Sequence, residues 1–316
     1  MKRSDALAFR LGTGLFGLVL VVLVFAIGVE LTRQSWLSLQ KFGLNFWRTQ
    51  TWDPVAGDFG ALPFIWGTLY SSILSLLIAT PIALGIAVFI SELCPNRLKP
   101  ALVFLTELLA AIPSIVYGLW GIFVLVPAVR AFQVWFPESL KWIPFFSGPP
   151  FGLGMLSAAL ILAVMVIPFT SSVAREVLKS VPVAQREGAY ALGATRFEAI
   201  SAALFYARTG IVGAVLLGFG RALGETMAVT MVIGNSPRVS LSLFAPQHTM
   251  AAVLANEFTE AAEPLYLSAL IEIGLVLFII TLVVNSLSRL LIWSMARPAK
   301  PLTEKTAVVP AVESAA

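Results

Sequence analysis

No charged side chain occurs between Asp58 and Glu92. That run exceeds the roughly 20 residues needed to cross a hydrocarbon core about 30 Å thick. In a bilayer every backbone polar group must be satisfied within the chain, as it is in a membrane-spanning helix. With 58% hydrophobic and 12% charged residues, against about 25% charged in soluble domains, the chain reads as an all-α polytopic membrane protein forming one bundle.

Six spans are expected. The first covers 11–30, following Lys2, Arg3 and Arg10. Ala26-Ile27-Gly28 has the small-x-small form of a cleavage site, but a signal core is usually 7 to 15 residues, so the helix reads as retained. A polar stretch over 31–61 follows, with Trp36, Trp47 and Trp52 suited to an interface. Further helices are expected over 62–90 with a kink at Pro81, 101–128 with Glu107 near its start and Pro113 inside, 152–174, 209–234 and 265–289. The proline- and aromatic-rich stretch 129–151 reads as an ordered interfacial loop. Lysine and arginine number 14 in the segments on the side of the N-terminus and 6 on the other, which places both termini in the cytoplasm. The segment 1–10 is then a cytoplasmic N-terminus, 31–61 is external, and 293–316 is a cytoplasmic tail expected to be disordered.

Two charges interrupt the apolar pattern. Gly218-Phe219-Gly220-Arg221-Ala222-Leu223-Gly224-Glu225 sets an arginine and a glutamate one helical turn apart, with no ionisable group over 209–217 or 226–234. A continuous helix through 209–234 puts Arg221 near the midplane, where an arginine costs about 2.5–3.5 kcal/mol on insertion scales and usually faces protein or a water-filled path. Gly210, Ala214, Gly218, Arg221, Gly224, Glu225 and Ala228 then share a stripe that lets another helix approach closely. Arg221 and Glu225 are either a neutralising ion pair that fixes register or the mark of a substrate path. Glu107 and Glu272 lie near proposed helix ends and read as partly solvated. His248 and the run Glu257, Glu260, Glu263 read as a solvated outer loop.

The segment 175–208 is patterned as a helical hairpin. Ser180 and Pro182 resemble a helix start, Gly193 suits the left-handed position after a helix, and Thr195 and Glu198 have the spacing of a capping box. The second helix should carry Phe197, Ile200 and Leu204 on one face. From this pattern alone, a hairpin lying on the lipid surface and a docking element are equally open.

Arg186-Glu187-Gly188-Ala189-Tyr190-Ala191-Leu192-Gly193-Ala194-Thr195 resembles the cytoplasmic EAA loop of ABC-importer permeases, with Gly188 in place of an alanine and Ala203 and Tyr206 in place of the usual isoleucine and proline. Gly220-Arg221-Ala222-Leu223-Gly224-Glu225-Thr226-Met227-Ala228-Val229, followed by Ile233-Gly234-Asn235, is similar to PstC-type permease subunits of phosphate ABC importers, as is Ala111-Ile112-Pro113-Ser114-Ile115-Val116-Tyr117-Gly118. The resemblance covers residues 10 to 295. It implies a type I ABC importer permease (MetI-like) fold with a permease core over 62–292, in a bacterial inner membrane. It also implies a second permease of PstA type, a PstB-type ATPase dimer holding ATP and Mg, and a periplasmic PstS-type phosphate-binding protein. Arg186, Glu187, Gly188, Ala189, Gly193 and Ala194 would couple to the ATPase. Arg221, Glu225 and Thr226 would line the substrate pathway. Arg221 would bind phosphate oxygens bidentately, and Glu225 would pair with Arg221 in the empty path and accept a hydrogen bond from protonated phosphate.

What the chain lacks points the same way. It has no Gly-x-x-x-x-Gly-Lys phosphate loop, so no ATP site of its own is expected. Gly218-x-Gly220 follows no strand and is no dinucleotide fingerprint. One cysteine, Cys94, and one histidine, His248, give no disulfide and no His/Cys metal cluster, and no cofactor is expected on this chain. The net charge of +4 is spread over short loops rather than gathered for nucleic acid. No nucleophile–base constellation suggests an enzyme. A permease for another oxyanion or small solute is the nearest alternative. A secondary transporter is a more distant one, since six spans make an inverted repeat hard to assemble.

Overall fold

The computed structural model describes residues 3–140 and 142–295. The expected disordered tail lies outside the described residues from 296 onward. Among the described residues six helices are long and apolar enough to cross a membrane, the number that the sequence predicts: Arg10–Gln34, Leu62–Leu93, Ser114–Trp135, Met155–Lys179, Arg196–Leu223 and Pro264–Met295.

Helix α1 (Arg3–Gln34) leads into α2 (Trp36–Phe42), a 3-10 turn over Gly43–Trp47, and a minimal hairpin of β1 (Trp52–Asp53) and β2 (Asp58–Phe59) with Trp52 opposite Phe59. This end is termed outer, following the lysine and arginine bias. Next, α3 (Leu62–Val88) runs through Pro81 and closes in a π-helical turn, Phe89–Leu93.

The third span departs from expectation. Instead of one helix over 101–128, the chain forms α4 (Lys99–Ala111), α5 (Ser114–Trp120), a π-helical turn over Gly121–Leu125 and α6 (Val126–Trp135). Pro113 disfavours helical backbone at the residue before it, and Ile112 is extended with ψ 130°. The proline therefore breaks the helix rather than kinking it, and the span shifts outward by about three turns.

Helix α7 (Met155–Lys179) is the most buried span and lies against α3 and α9 (Arg196–Leu223). Small residues permit this closeness: Ala158, Ala159, Ala163 and Ala174 of α7 are inaccessible, as are Ala79, Ala83 and Ala87 of α3. Between α7 and α9 stands α8 (Val183–Ala191). After α9 come α10 (Met227–Val232), α11 (Met250–Glu257) and α12 (Pro264–Met295). Three cores stack along the bundle. The outer one gathers Phe46, Phe59, Phe64 and Met250, the central one Met155, Ile161, Val229 and Val232, and the inner one Ala87, Leu178, Ala203 and Ala214.

Residues 233–249 are not helical, yet many are buried. Their backbone is satisfied from several sides: Trp66 Nε1 donates to the Ser240 carbonyl at 2.9 Å, the Tyr70 hydroxyl to Leu241 at 2.8 Å, and the Leu156 N–H to Leu243 at 2.8 Å. Irregular backbone at such depth is tolerated only when enclosed by protein in this way. Gly67 makes room for it, because a Cβ there would collide with the His248 carbonyl.

Candidate functional site

The expected continuous helix over 209–234 is absent. Thr195 opens a helix that runs without a breaker to Leu223, so the second hairpin helix and the fifth span are one 28-residue element. Gly224, Glu225 and Thr226 then interrupt it before α10 begins. Glycine and a β-branched threonine weaken helix propagation at this point, while the apolar run Met227–Val232 restarts it. Arg221 thus occupies the last turn of α9, and Glu225 stands in the break.

The stripe of small residues is split by the same break. Its first half behaves as expected, because a Cβ on Gly210 would meet Val177 at 2.5 Å and one on Gly218 would collide with the Thr170 hydroxyl. Those residues seat α9 on α7 of the same chain. The second half, from Gly224 on, lies off that helix.

The expected Arg221–Glu225 pair does not form. Among the described residues Arg221 makes no hydrogen bond or ion pair, and its buried Nε is left without a partner. Its guanidinium carbon sits 5.5 Å from the centroid of the Phe169 ring, a cation–π contact worth about 0.5–2 kcal/mol. Its charge is also felt by the Tyr117 phenol, which donates to the Leu109 carbonyl at 2.8 Å. Glu225 instead accepts the Ala228 N–H at 3.3 Å, which caps the first turn of α10. The break aims the two side chains apart: Arg221 follows α9, and Glu225 follows α10. Thr226 donates to the Gly224 carbonyl at 3.3 Å and its own carbonyl accepts the Thr230 hydroxyl at 2.7 Å. Arg221, Glu225 and Thr226 are each half-exposed.

At the inner end the hairpin forms as patterned. Gly193 has φ +82° and turns the chain with no side chain to strain. The capping box is complete, with Thr195 N–H donating to Glu198 Oε2 at 2.7 Å and Glu198 N–H to Thr195 Oγ1 at 3.4 Å. The buried face of the second limb is Ala199, Ala203 and Ala207; Phe197 is 80% exposed, and Ile200 and Leu204 only half-buried. Small side chains allow α9 to lie close to its neighbours, so the expected Phe197–Ile200–Leu204 face is not the packed one. Glu187 and Gly188 are exposed, Ala189 and Ala194 half-buried, and Tyr190 and Leu192 stand out as an apolar tip. Arg186 turns inward. Its Nη2 lies 2.7 Å from Glu92 Oε1 and 3.0 Å from the Leu178 carbonyl, and its Nη1 donates to Val181 at 3.0 Å.

Several charged groups occupy places that sequence alone did not assign. Arg175 on α7 is 3% exposed, and its Nη2 contacts Glu107 at 3.0 Å and Glu176 at 2.8 Å. Glu107 is partly solvated, as expected. Glu272 is not: it is wholly buried on α12, with the Ser38 side chain as its polar neighbour. His248 is buried as well, accepting the Thr249 N–H at 3.1 Å and meeting the Phe64 ring edge-on, and burial pulls its imidazole down to about 4. Glu257 is held by Trp52 Nε1 at 2.8 Å and the Tyr266 hydroxyl at 2.7 Å, while Glu260 and Glu263 are exposed. The aromatic residues of 31–61 were the available signal for this enclosure.

A family model described as binding-protein-dependent transport system inner membrane component matches residues 79–297. The phosphate transport system permease protein PstC of Mesorhizobium japonicum is 44% identical over 292 residues, covering 90% of this chain and 89% of that protein. The protein of the same name from Haemophilus influenzae is 48% identical over 293 residues, covering 91% and 93%. A probable PstC from Methanocaldococcus jannaschii is 40% identical over 255 residues, covering 78% and 81%. Among solved structures, an inward-facing conformation of the MetNI methionine ABC transporter superposes with a TM-score of 0.57 at 16% identity, covering 74% of this chain and 95% of that one. At that identity the likeness establishes the shared MetI-like fold and nothing of the solute.

Proposed function

The chain belongs to the binding-protein-dependent transport system inner membrane component family, and from that premise we propose that it forms one half of the translocation pathway of an ATP-driven phosphate importer. It is a transport subunit rather than an enzyme. The PstC name shared by relatives covering most of its length supports phosphate as the solute. The observation that carries the site reading is Arg221, a cation at the end of a broken span with no ion pair among the described residues. A half-exposed guanidinium in that position has its fork free for two phosphate oxygens. Glu225 and Thr226 stand in the break that follows, and Glu225 favours a phosphate that still carries a proton over a fully ionised oxyanion. Helix breaks of this kind are where transporters place ligand sites, because freed backbone and side chains face a cavity rather than lipid.

The remaining half of the pathway comes from a second, PstA-type permease facing the α9–α10 break. A PstB-type ATPase dimer, carrying ATP and Mg, docks on the apolar tip of the hairpin around Tyr190 and Leu192, with Glu187, Gly188, Ala189, Gly193 and Ala194 shaping that surface. A PstS-type binding protein delivers phosphate at the outer end, and the complex resides in a bacterial inner membrane with both termini of this chain in the cytoplasm. Reconstitution of the four components in liposomes tests the reading: phosphate uptake should require ATP and collapse in Leu192→Asp through loss of ATPase capture. Uptake by this chain alone, or undiminished capture in that variant, would sink it.

A further inference from the structure

Arg186 lies inside the motif expected to touch the ATPase, yet its guanidinium is turned into the protein and its side chain is 21% exposed. Its three bonds reach three elements: the carboxylate of Glu92 at the end of α3, the Leu178 carbonyl at the end of α7, and the Val181 carbonyl in the turn before α8. Glu92 also holds the other limb of the hairpin, because its backbone carbonyl accepts Arg196 Nη2 at 2.7 Å. The π-helical turn Phe89–Leu93 makes this possible. Helix-end carbonyls lack partners of their own, and here those of Ser91 and Glu92 accept Lys99 Nζ at 3.1 Å and Arg196. The wide turn also presents the Glu92 side chain, 13% exposed, to Arg186.

We propose that Glu92 is the transmission point between the cytoplasmic hairpin and the membrane bundle, with Arg186 and Arg196 as positioning residues that tie both limbs of the hairpin to α3. A hairpin displaced by a docked partner pulls on the end of α3, which lies along α7 and α9, and α9 carries Arg221 in its last turn. Exposed apolar side chains at the tip bind the partner; the inward charges carry its movement. The inference rests on the hairpin being the ATPase dock.

The test uses the full reconstituted complex, reading phosphate moved per ATP hydrolysed together with ATPase retention on purification. Glu92→Gln and Arg186→Gln should each retain the ATPase and lower the transport-to-hydrolysis ratio about tenfold, the order expected when a coupling element is cut. The double variant should be no worse than Arg186→Gln alone, since that substitution already removes the contact that Glu92→Gln weakens. Glu92→Asp keeps the charge but shortens its reach, and supplies the same reading where Glu92→Gln assembles poorly. An unchanged ratio in the Glu92 variants overturns the proposal. So does loss of ATPase retention in Arg186→Gln alone, which would make Arg186 a docking residue. Both of those results leave the docking reading standing, whereas failure of the unaltered chain to retain the ATPase removes both.

Discussion

Arg175 and Arg221 are two cations on adjacent helices of one bundle, and the protein treats them in opposite ways. Arg175 is almost inaccessible, but a single nitrogen reaches two carboxylates, Glu107 and Glu176, which are half in solvent. Arg221 is less buried and has no anionic partner among the described residues. A buried cation paired with carboxylates holds helices together, although the Nε of Arg175, like that of Arg221, has no partner among the described residues; a cation without a paired carboxylate carries an energetic cost that a ligand or a partner subunit removes. His248 takes a third course, giving up its charge rather than finding a partner. Burial alone therefore does not mark function in this molecule. The absence of an internal counter-charge does.

The largest consequence concerns Arg221→Ala. If Arg221 holds phosphate through two charge-assisted hydrogen bonds, each worth about 1.5–3 kcal/mol, uptake by the assembled transporter should fall by about 100-fold or more with little change in thermal stability. If the variant instead melted early and transported normally per folded molecule, Arg221 would be a second Arg175. Next comes His248, whose effect lies in stability alone. Its pKa is depressed from 6.5 to about 4, so the unfolded chain takes up a proton first as pH falls. Stability is intact above about pH 6.5 and drains away towards pH 4, by up to about 3 kcal/mol. Denaturation in detergent across that window should show the loss, and His248→Gln should flatten it.

How much of this was legible in the residues follows from the range of each interaction. Spans, capping box, hairpin turn and the prominence of Arg221 were readable because they depend on local runs and short spacings. The rest needed neighbours distant in sequence. Arg175 looked like one basic residue of a cytoplasmic segment, and only the close approach of α4 to α7 brings Glu107 to it. Helical periodicity placed Arg221 and Glu225 on one face, but that inference assumed an unbroken helix, and Gly224 with Thr226 ended it. Likewise Pro113 was placed inside a continuous helix because the strength of a break depends on what surrounds it. Glu272 and His248 were taken for solvated groups since nothing in their local sequence announces the helices that cover them.

Two smaller effects sharpen the contrast. Arg175→Met should destabilise the chain by about 1–2 kcal/mol, less than the 3–5 typical of a fully buried pair, because water can take over Glu107 and Glu176. Transport per folded molecule should stay within about twofold, and a larger loss would draw Arg175 into the pathway. Glu225→Gln should keep the cap on Ala228, since the amide oxygen still accepts, yet lower the preference for phosphate over sulfate about tenfold, the size of one weakened hydrogen bond. Competition uptake with labelled phosphate measures this, and an unaltered preference would leave Glu225 as a cap alone.

The finest discrimination is made with lysine at both positions. Arg175 meets its two carboxylates through Nη2 alone, so a point-like ammonium can replace it, and Arg175→Lys should cost under about 1 kcal/mol in unfolding. At Arg221 the charge would also survive in Arg221→Lys, but the planar fork would not. If the guanidinium grips two oxygens of one phosphate, losing one of two bonds should lower uptake about tenfold while unfolding stays unchanged. Equal tolerance of lysine at the two sites would mean that Arg221 acts through charge alone, steering the anion past rather than holding it. Measured on the same reconstituted complexes, the pair of substitutions separates a cation that recognises shape from one that only balances charge.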